Sequence, residues 1–230
     1  MLKLVENFIV IPTFVFSALV CWVVYRVSLK IALITAVVLF VWFNLVFWLG
    51  KTGFFTIDSL FVPNIVFGFL ILFELGRRML SVTEFQKTAL KLSITWLVLI
   101  QTYRVVGISF IFLYLDGVLP AVFAFPSAVG DIIVGVSAPL VAFLYYAKKS
   151  YSREIAIVWN VFGIADLVIA VAMGILAFSR PIRFLPIAIA TISTEPLSLY
   201  PLVMISLFAV PLALILHVLS LKILKVGKIN

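Results

Sequence analysis

"GVLPAVFAFPSAVGDIIVGVSAPLVAFLYYA", residues 117–147, runs for 31 residues between Asp116 and Lys148 with a single charge inside it, Asp131. The run is too long and too evenly apolar for a half-buried strand, and a helix apolar on all sides must be covered on all sides. A bilayer core takes about 20 apolar residues of helix. The stretch therefore reads as a membrane crossing with a carboxylate near its centre. Its excess length, together with Pro120, Pro126, Gly130, Gly135 and Pro139, predicts a start that is interrupted, interfacial or re-entrant.

Outward from this stretch the pattern repeats. Charges cut the chain into seven apolar segments, roughly 8–25, 31–50, 59–76, 92–115, 117–147, 155–179 and 197–221. The composition is 65% hydrophobic and 11% charged, with mean hydropathy +1.32; a soluble domain carries about a quarter of its residues charged. Barrel strands are short and alternate apolar with polar, which these runs do not. The expected fold class is all-α, a polytopic transmembrane bundle of seven helices forming a single domain over 1–230. The first segment is expected to be a retained helix. Glu6 offsets its leading cation, Lys3, and no small-residue cleavage site follows.

Seven crossings place alternate loops on opposite sides. One side then holds twelve cations: Arg26, Lys30, Arg77, Arg78, Lys87, Lys91, Lys148, Lys149, Arg153, Lys222, Lys225 and Lys228. The other holds four: Lys3, Lys51, Arg180 and Arg183. Cytoplasmic loops carry the excess of Lys and Arg, so the N-terminus is expected outside, the C-terminus in the cytoplasm, and the chain in the cell membrane as a multi-pass protein. The formal charge of +8 is thus a topology signal and argues against a nucleic-acid partner. Trp22, Tyr25, Trp48, Tyr145, Tyr146 and Tyr200 fall near span ends, where amphipathic rings favour the headgroup region. The longest outer connection, 180–199, contains "FLPIAIA" (184–190), expected as an amphipathic connector rather than a lid.

The charges inside the spans form a second pattern. Arg104 lies at the midpoint of the fourth segment. Asp131 and Asp166 lie one residue from the midpoints of the fifth and sixth. These offsets amount to only about 2 Å of depth. An isolated midplane charge costs roughly 2.5–3.5 kcal/mol on insertion scales and persists by pairing or by facing water. Arg104 is therefore expected between Asp131 and Asp166 in the bundle interior. Gln101 and Gly107 flank it on the fourth span, Ser127 and Gly135 share the face of Asp131, and Asn160, Gly163, Ala170 and Gly174 trace a stripe on the sixth. One arginine and two aspartates leave a formal charge of −1, to be met by a proton or a transient cation. His217 is the only histidine and Cys21 the only cysteine. Bis-histidine haem and an intramolecular disulfide are thereby excluded within the chain, and no metal site or cofactor is expected. By its spacing, His217 falls about 13 Å from the midpoint of span seven, which predicts an interfacial hydrogen-bonding role.

Two resemblances bear on these residues. "AVGD" (128–131) resembles the GxGD motif of intramembrane aspartyl proteases, with Asp166 as second acid. However, Ala128 stands at the first glycine, and the Tyr-Asp and Pro-Ala-Leu motifs are absent. "QTYRVVGISFIFLY" (101–114), "FPSAVGDIIVGVSAPLV" (125–141), "WNVFGIADLVIAV" (159–171) and "PLVMISLFAVPLALILHVLSL" (201–221) together resemble an uncharacterised family of prokaryotic seven-helix integral membrane proteins. That resemblance implies the fold class and carries no activity.

The expected function is a small carrier or channel-like protein for protons or a small solute. Its site would be Arg104, Asp131, Asp166, Gln101, Asn160 and Ser127. A non-catalytic membrane subunit or assembly factor is the alternative, and a membrane-embedded hydrolase a weaker one. The expected partners are the lipid bilayer, a proton, cation or small solute, and a membrane-protein partner or second copy.

Overall fold

The computed structural model describes residues 2–56, 58–59, 62–79, 81–178 and 192–226. These form a helical bundle: α1 (Leu2–Tyr25), α2 (Leu29–Lys51), α3 (Asn64–Met79), α4 (Thr83–Ala89), α5 (Ile94–Ile100), α6 (Ser109–Leu115), α7 (Ala121–Tyr146), α8 (Ser152–Leu176) and α9 (Val210–Val226). A two-residue antiparallel bridge, β1 (Asp58–Ser59) with β2 (Val62–Pro63), is the only strand pairing among the described residues.

Among the described residues, six helical stretches are long and apolar enough to cross a membrane: Glu6–Tyr25, Leu29–Lys51, Ile94–Leu115, Ala121–Tyr146, Ser152–Leu176 and Ile205–Val226. The third expected segment forms α3, whose 16 residues span about 24 Å, short of a hydrocarbon core of about 30 Å.

The packing of α7 shows how the sequence sorts its faces. Val129, Ile133, Val136, Leu140 and Phe143, spaced three and four residues apart, point outward. The inward face is small: Ala124, Ser127, Ala128, Ala138 and Ala142 are all buried. An apolar exterior over a small-residue interior is the pattern of helices that approach closely in lipid. The helix runs unbroken through Pro126 and Pro139, which corrects the expectation of an interrupted start. Its glycines serve close packing instead. A Cβ on Gly135 would lie 2.6 Å from the backbone nitrogen of Val105.

The irregular backbone lies elsewhere. Between α5 and α6, residues Gln101–Ile108 form eight residues of 3₁₀-helix, longer than the usual run of three or four. Before α9, Ile205–Ala209 form a π turn. Pro211 follows and has no N–H to give to the Leu207 carbonyl four residues back. The Trp42 indole Nε1–H donates to that oxygen instead, at 2.8 Å, and so ties α2 to the turn that leads into α9.

Contacts group the bundle ends. At one end Tyr200 Oη donates to Glu6 Oε1 at 2.5 Å, and the Lys51 ammonium lies 4.2 Å and 4.9 Å from the ring centres of Phe47 and Tyr200. At the other, Lys30 pairs with Glu84 at 3.1 Å and Arg153 Nη2 donates to the Leu224 carbonyl at 2.7 Å. Glu74 accepts from Arg77 and Arg78 as a local ion pair, at 2.6–2.8 Å. Most of the 180–199 connection, including the 184–190 segment expected as an amphipathic connector, lies outside the described residues. Beyond it, Thr194 fastens the chain to the end of α8 by its N–H to Ala177 O at 3.0 Å and its hydroxyl to Gly174 O at 2.6 Å.

Candidate functional site

Arg104 sits in the 3₁₀ segment and is 2% exposed. A 3₁₀ turn aligns side chains three residues apart, so Arg104, Gln101 and Gly107 share one buried face. The guanidinium offers five N–H donors. Nε–H donates to Asp131 Oδ1 on α7 at 2.7 Å. Nη2 donates to Asp166 Oδ2 on α8. Nη1 reaches the Gly163 carbonyl at 3.4 Å and His217 Nε2 on α9 at 3.3 Å. One side chain thereby joins four membrane-length segments.

The histidine contact has a defined polarity. Asn160 Nδ2 donates to the Ala156 carbonyl at 2.7 Å, which turns its Oδ1 toward His217 Nδ1 at 2.9 Å. An amide oxygen only accepts, so Nδ1 carries the hydrogen. Nε2 then presents its lone pair to the Arg104 N–H. A chain of directed hydrogen bonds runs from Arg104 through His217 and Asn160 to the backbone of α8.

Glycines make room for each of these groups. A Cβ on Gly107 would strike the Asp131 side chain, one on Gly130 the Asp166 carboxylate, and one on Gly163 the His217 ring at 2.5 Å. Each helix thus carries a glycine where its neighbour inserts a polar side chain. The close approach removes water, so pairing must offset desolvation of three charges, several kcal/mol per ion in proteins.

The environment distinguishes the two acids. The Asp166 side chain is 7% exposed, that of Asp131 17%, and that of Arg104 1%. Asp131 lines a cavity of about 120 Å³. The walls come from α3, α6, α7, α8 and the chain from Thr194 to Val210, and Phe69, Phe110, Phe123, Ala170 and Ser198 are among the residues lining it. A smaller space of about 30 Å³ adjoins Asp131 and Arg104 on the side of α1. Below the site, Ile94, Val98, Val134, Ala138, Val141 and Trp159 pack as a second apolar cluster.

The structure brings Arg104, Asp131 and Asp166 together. Asn160 reaches Arg104 only through His217. Gln101 turns away from the acids and donates through Nε2 to the Ala213 carbonyl at 3.3 Å. Ser127 is 1% exposed, and its hydroxyl has no partner among the described residues.

His217 was the residue that sequence reasoning misplaced. It is fully buried at the centre of the group rather than at an interface. The expected seventh span began at 197, but Glu195–Ser198 form a separate 3₁₀ turn and the apolar helical stretch runs Ile205–Val226. The centre of that stretch lies within about 3 Å of His217 by the helical rise. The signal that would have found it is Pro196 and Pro201, which delay the helix start.

Among the described residues no group of three His, Cys, Asp or Glu is placed to hold a metal ion. The family model described as a domain of unknown function (DUF8737) matches residues 60–225. The chain belongs to that family, and the match includes every residue of the charged group. No curated protein matches the chain, and no solved structure does.

Proposed function

We propose that this chain is a multi-pass protein of the cell membrane that carries a proton or small solute by way of the Arg104–Asp131–Asp166 group. In this reading α3 is the third of seven crossings, the N-terminus lies outside and the C-terminus in the cytoplasm. The grouping of contacts at the bundle ends supports this. Glu6, Lys51 and Tyr200 gather at one end, and Lys30, Glu84, Arg153 and Leu224 lie on the connections or helix ends assigned to the other. The cation excess of the sequence falls at the second, which is the cytoplasmic side by the positive-inside rule.

The observation that carries the reading is the position of Asp131. It is shared between a buried guanidinium and a cavity in the outer half of the bundle. Cytoplasmic to it, the bundle is closed by His217, Asn160 and the second apolar cluster. That is half a pathway ending at a charged group near the membrane centre, where carriers place their sites. Intramembrane ionisable residues mark such paths by default. The 3₁₀ segment bearing Arg104 and the π turn facing it are irregular elements of the kind found at functional hinges.

A second reading has its own support. Arg104 touches α7, α8 and α9 at once, as a residue would if its role were to hold a membrane subunit together.

The test is flux in sealed proteoliposomes loaded with a pH-sensitive dye, driven by an imposed potential. The carrier reading expects proton flux, or solute-dependent proton flux, that Asp131→Asn and Asp166→Asn abolish while both variants keep a cooperative thermal transition. Wild-type vesicles that leak no faster than empty ones for protons and for a panel of small solutes would refute it and favour the scaffolding role.

A further inference from the structure

We infer that the cavity above Asp131 binds a small alkylammonium ion, its charged nitrogen on the Asp131 carboxylate and its apolar body among the phenylalanines. The inference rests on the carrier reading for the site's location and goes further in naming the class of ligand.

Three observations converge. The first is charge. Arg104 is set against two carboxylates, and the hydrogen-bond directions make His217 neutral, so the group is one positive charge short. The second is the acceptor. Asp131 gives Oδ1 to the Arg104 bond and keeps free lone pairs on its carboxylate, and it is the charged residue lining the cavity among the described residues. The third is the wall. Ile65, Phe69, Phe110, Phe123, Leu167 and Val171 make it apolar and aromatic. Phe110 and Phe123 meet edge to face at 5.3 Å. A ring face near a cation adds attraction through its quadrupole.

The wall decides among cations. A hydrated metal ion needs several oxygen ligands, and among the described residues the carboxylate of Asp131 is accompanied in the lining by no polar side chain other than those of Thr194, Ser198 and Ser206. A volume of about 120 Å³ is a little under the roughly 150 Å³ that accommodates benzene, and fits an alkylammonium of roughly four to six heavy atoms. Ser198 is among the residues lining the same cavity; it is fully buried, and its hydroxyl has no hydrogen-bond partner among the described residues.

The experiment is saturable binding to the full chain in nanodiscs, with tert-butylammonium as probe and tert-butanol as its neutral isostere, followed by calorimetry and by thermal shift. Tert-butylammonium is expected to bind and to raise the melting temperature, and tert-butanol to bind at least about tenfold more weakly, the scale of one charge-assisted hydrogen bond. Asp131→Asn should remove the preference for the cation. Ala170→Phe, which fills the cavity and leaves the charges in place, should abolish binding of both. Equal binding of the two probes, or ammonium binding that survives Ala170→Phe, would overturn the inference. Amine binding with no counterflow of the amine and no proton or solute flux above empty vesicles would uphold it and sink the carrier reading. Proton flux that needs Asp131, with no amine binding, would do the reverse.

Discussion

Arg104 is where the chemistry of single residues is most exposed to test. Its fork geometry serves Asp131, Asp166 and His217 at once, a task that a lysine's point charge cannot reproduce. The neighbouring histidine gives a direct readout. If Asn160 fixes His217 as reasoned, nitrogen-15 spectra of the labelled protein will show hydrogen on Nδ1 and none on Nε2, and Asn160→Leu will abolish that preference. A wild-type ring protonated on Nε2 would mean that it does not accept from Arg104. The three charges were legible in the sequence because formal charge is rare inside apolar runs, so each was conspicuous and its depth could be counted. His217 was not, since its depth depended on where a helix starts. Gln101 and Ser127 were placed on the correct helices, but sequence spacing does not say which neighbour a face meets, and Gln101 meets α9.

At the scale of elements, the glycines are the sharpest handle. Gly163 lies under His217, whose ring is held by Asn160 and by Trp159 at 5.2 Å between centres, so the ring cannot yield easily to a new methyl group. Gly163→Ala is expected to destabilise by about 1–3 kcal/mol, the scale of overpacking. Gly174→Ala is the matched control. Its Cβ would meet Phe123 at 3.7 Å, an ordinary contact, and a helical alanine is favoured over glycine by up to about 1 kcal/mol. Thermal unfolding in one detergent compares the two, and an equal loss in both would show that the His217 contact is not the cause. Helix existence was legible from run length alone. The 3₁₀ and π segments were not: Gly107 sits inside the first and Pro211 just after the second, but neither residue specifies which irregular turn the backbone takes. The prolines and glycines of α7 pointed to the wrong helix: they signal backbone permissiveness, and here it is used for close approach.

For the whole molecule, alternation of charge across seven segments gave the expected arrangement, and six stretches among the described residues are long and apolar enough to cross. Counting is less direct, because α3, at 16 residues, is shorter than a full crossing. Single cysteines in a Cys21→Ser background resolve this. Lys51→Cys is expected to react with a membrane-impermeant maleimide added to intact cells, whereas Lys30→Cys and Lys149→Cys react only after lysis. Labelling of Lys149→Cys in intact cells would remove one crossing and reverse the later half of the bundle. The whole arrangement converges on the buried group, since the proposed pathway, ligand and closure all depend on Arg104 meeting acids from α7 and α8. The measurement that bears on this most directly is a double-mutant cycle in detergent, with Arg104→Gln, Asp166→Asn and the pair compared by equilibrium unfolding. A direct contact predicts a coupling energy of about 1–3 kcal/mol, with the double variant closer to wild type than the single effects sum to. Effects that add within about 0.5 kcal/mol would show that these residues do not meet, and the site would have to be sought elsewhere.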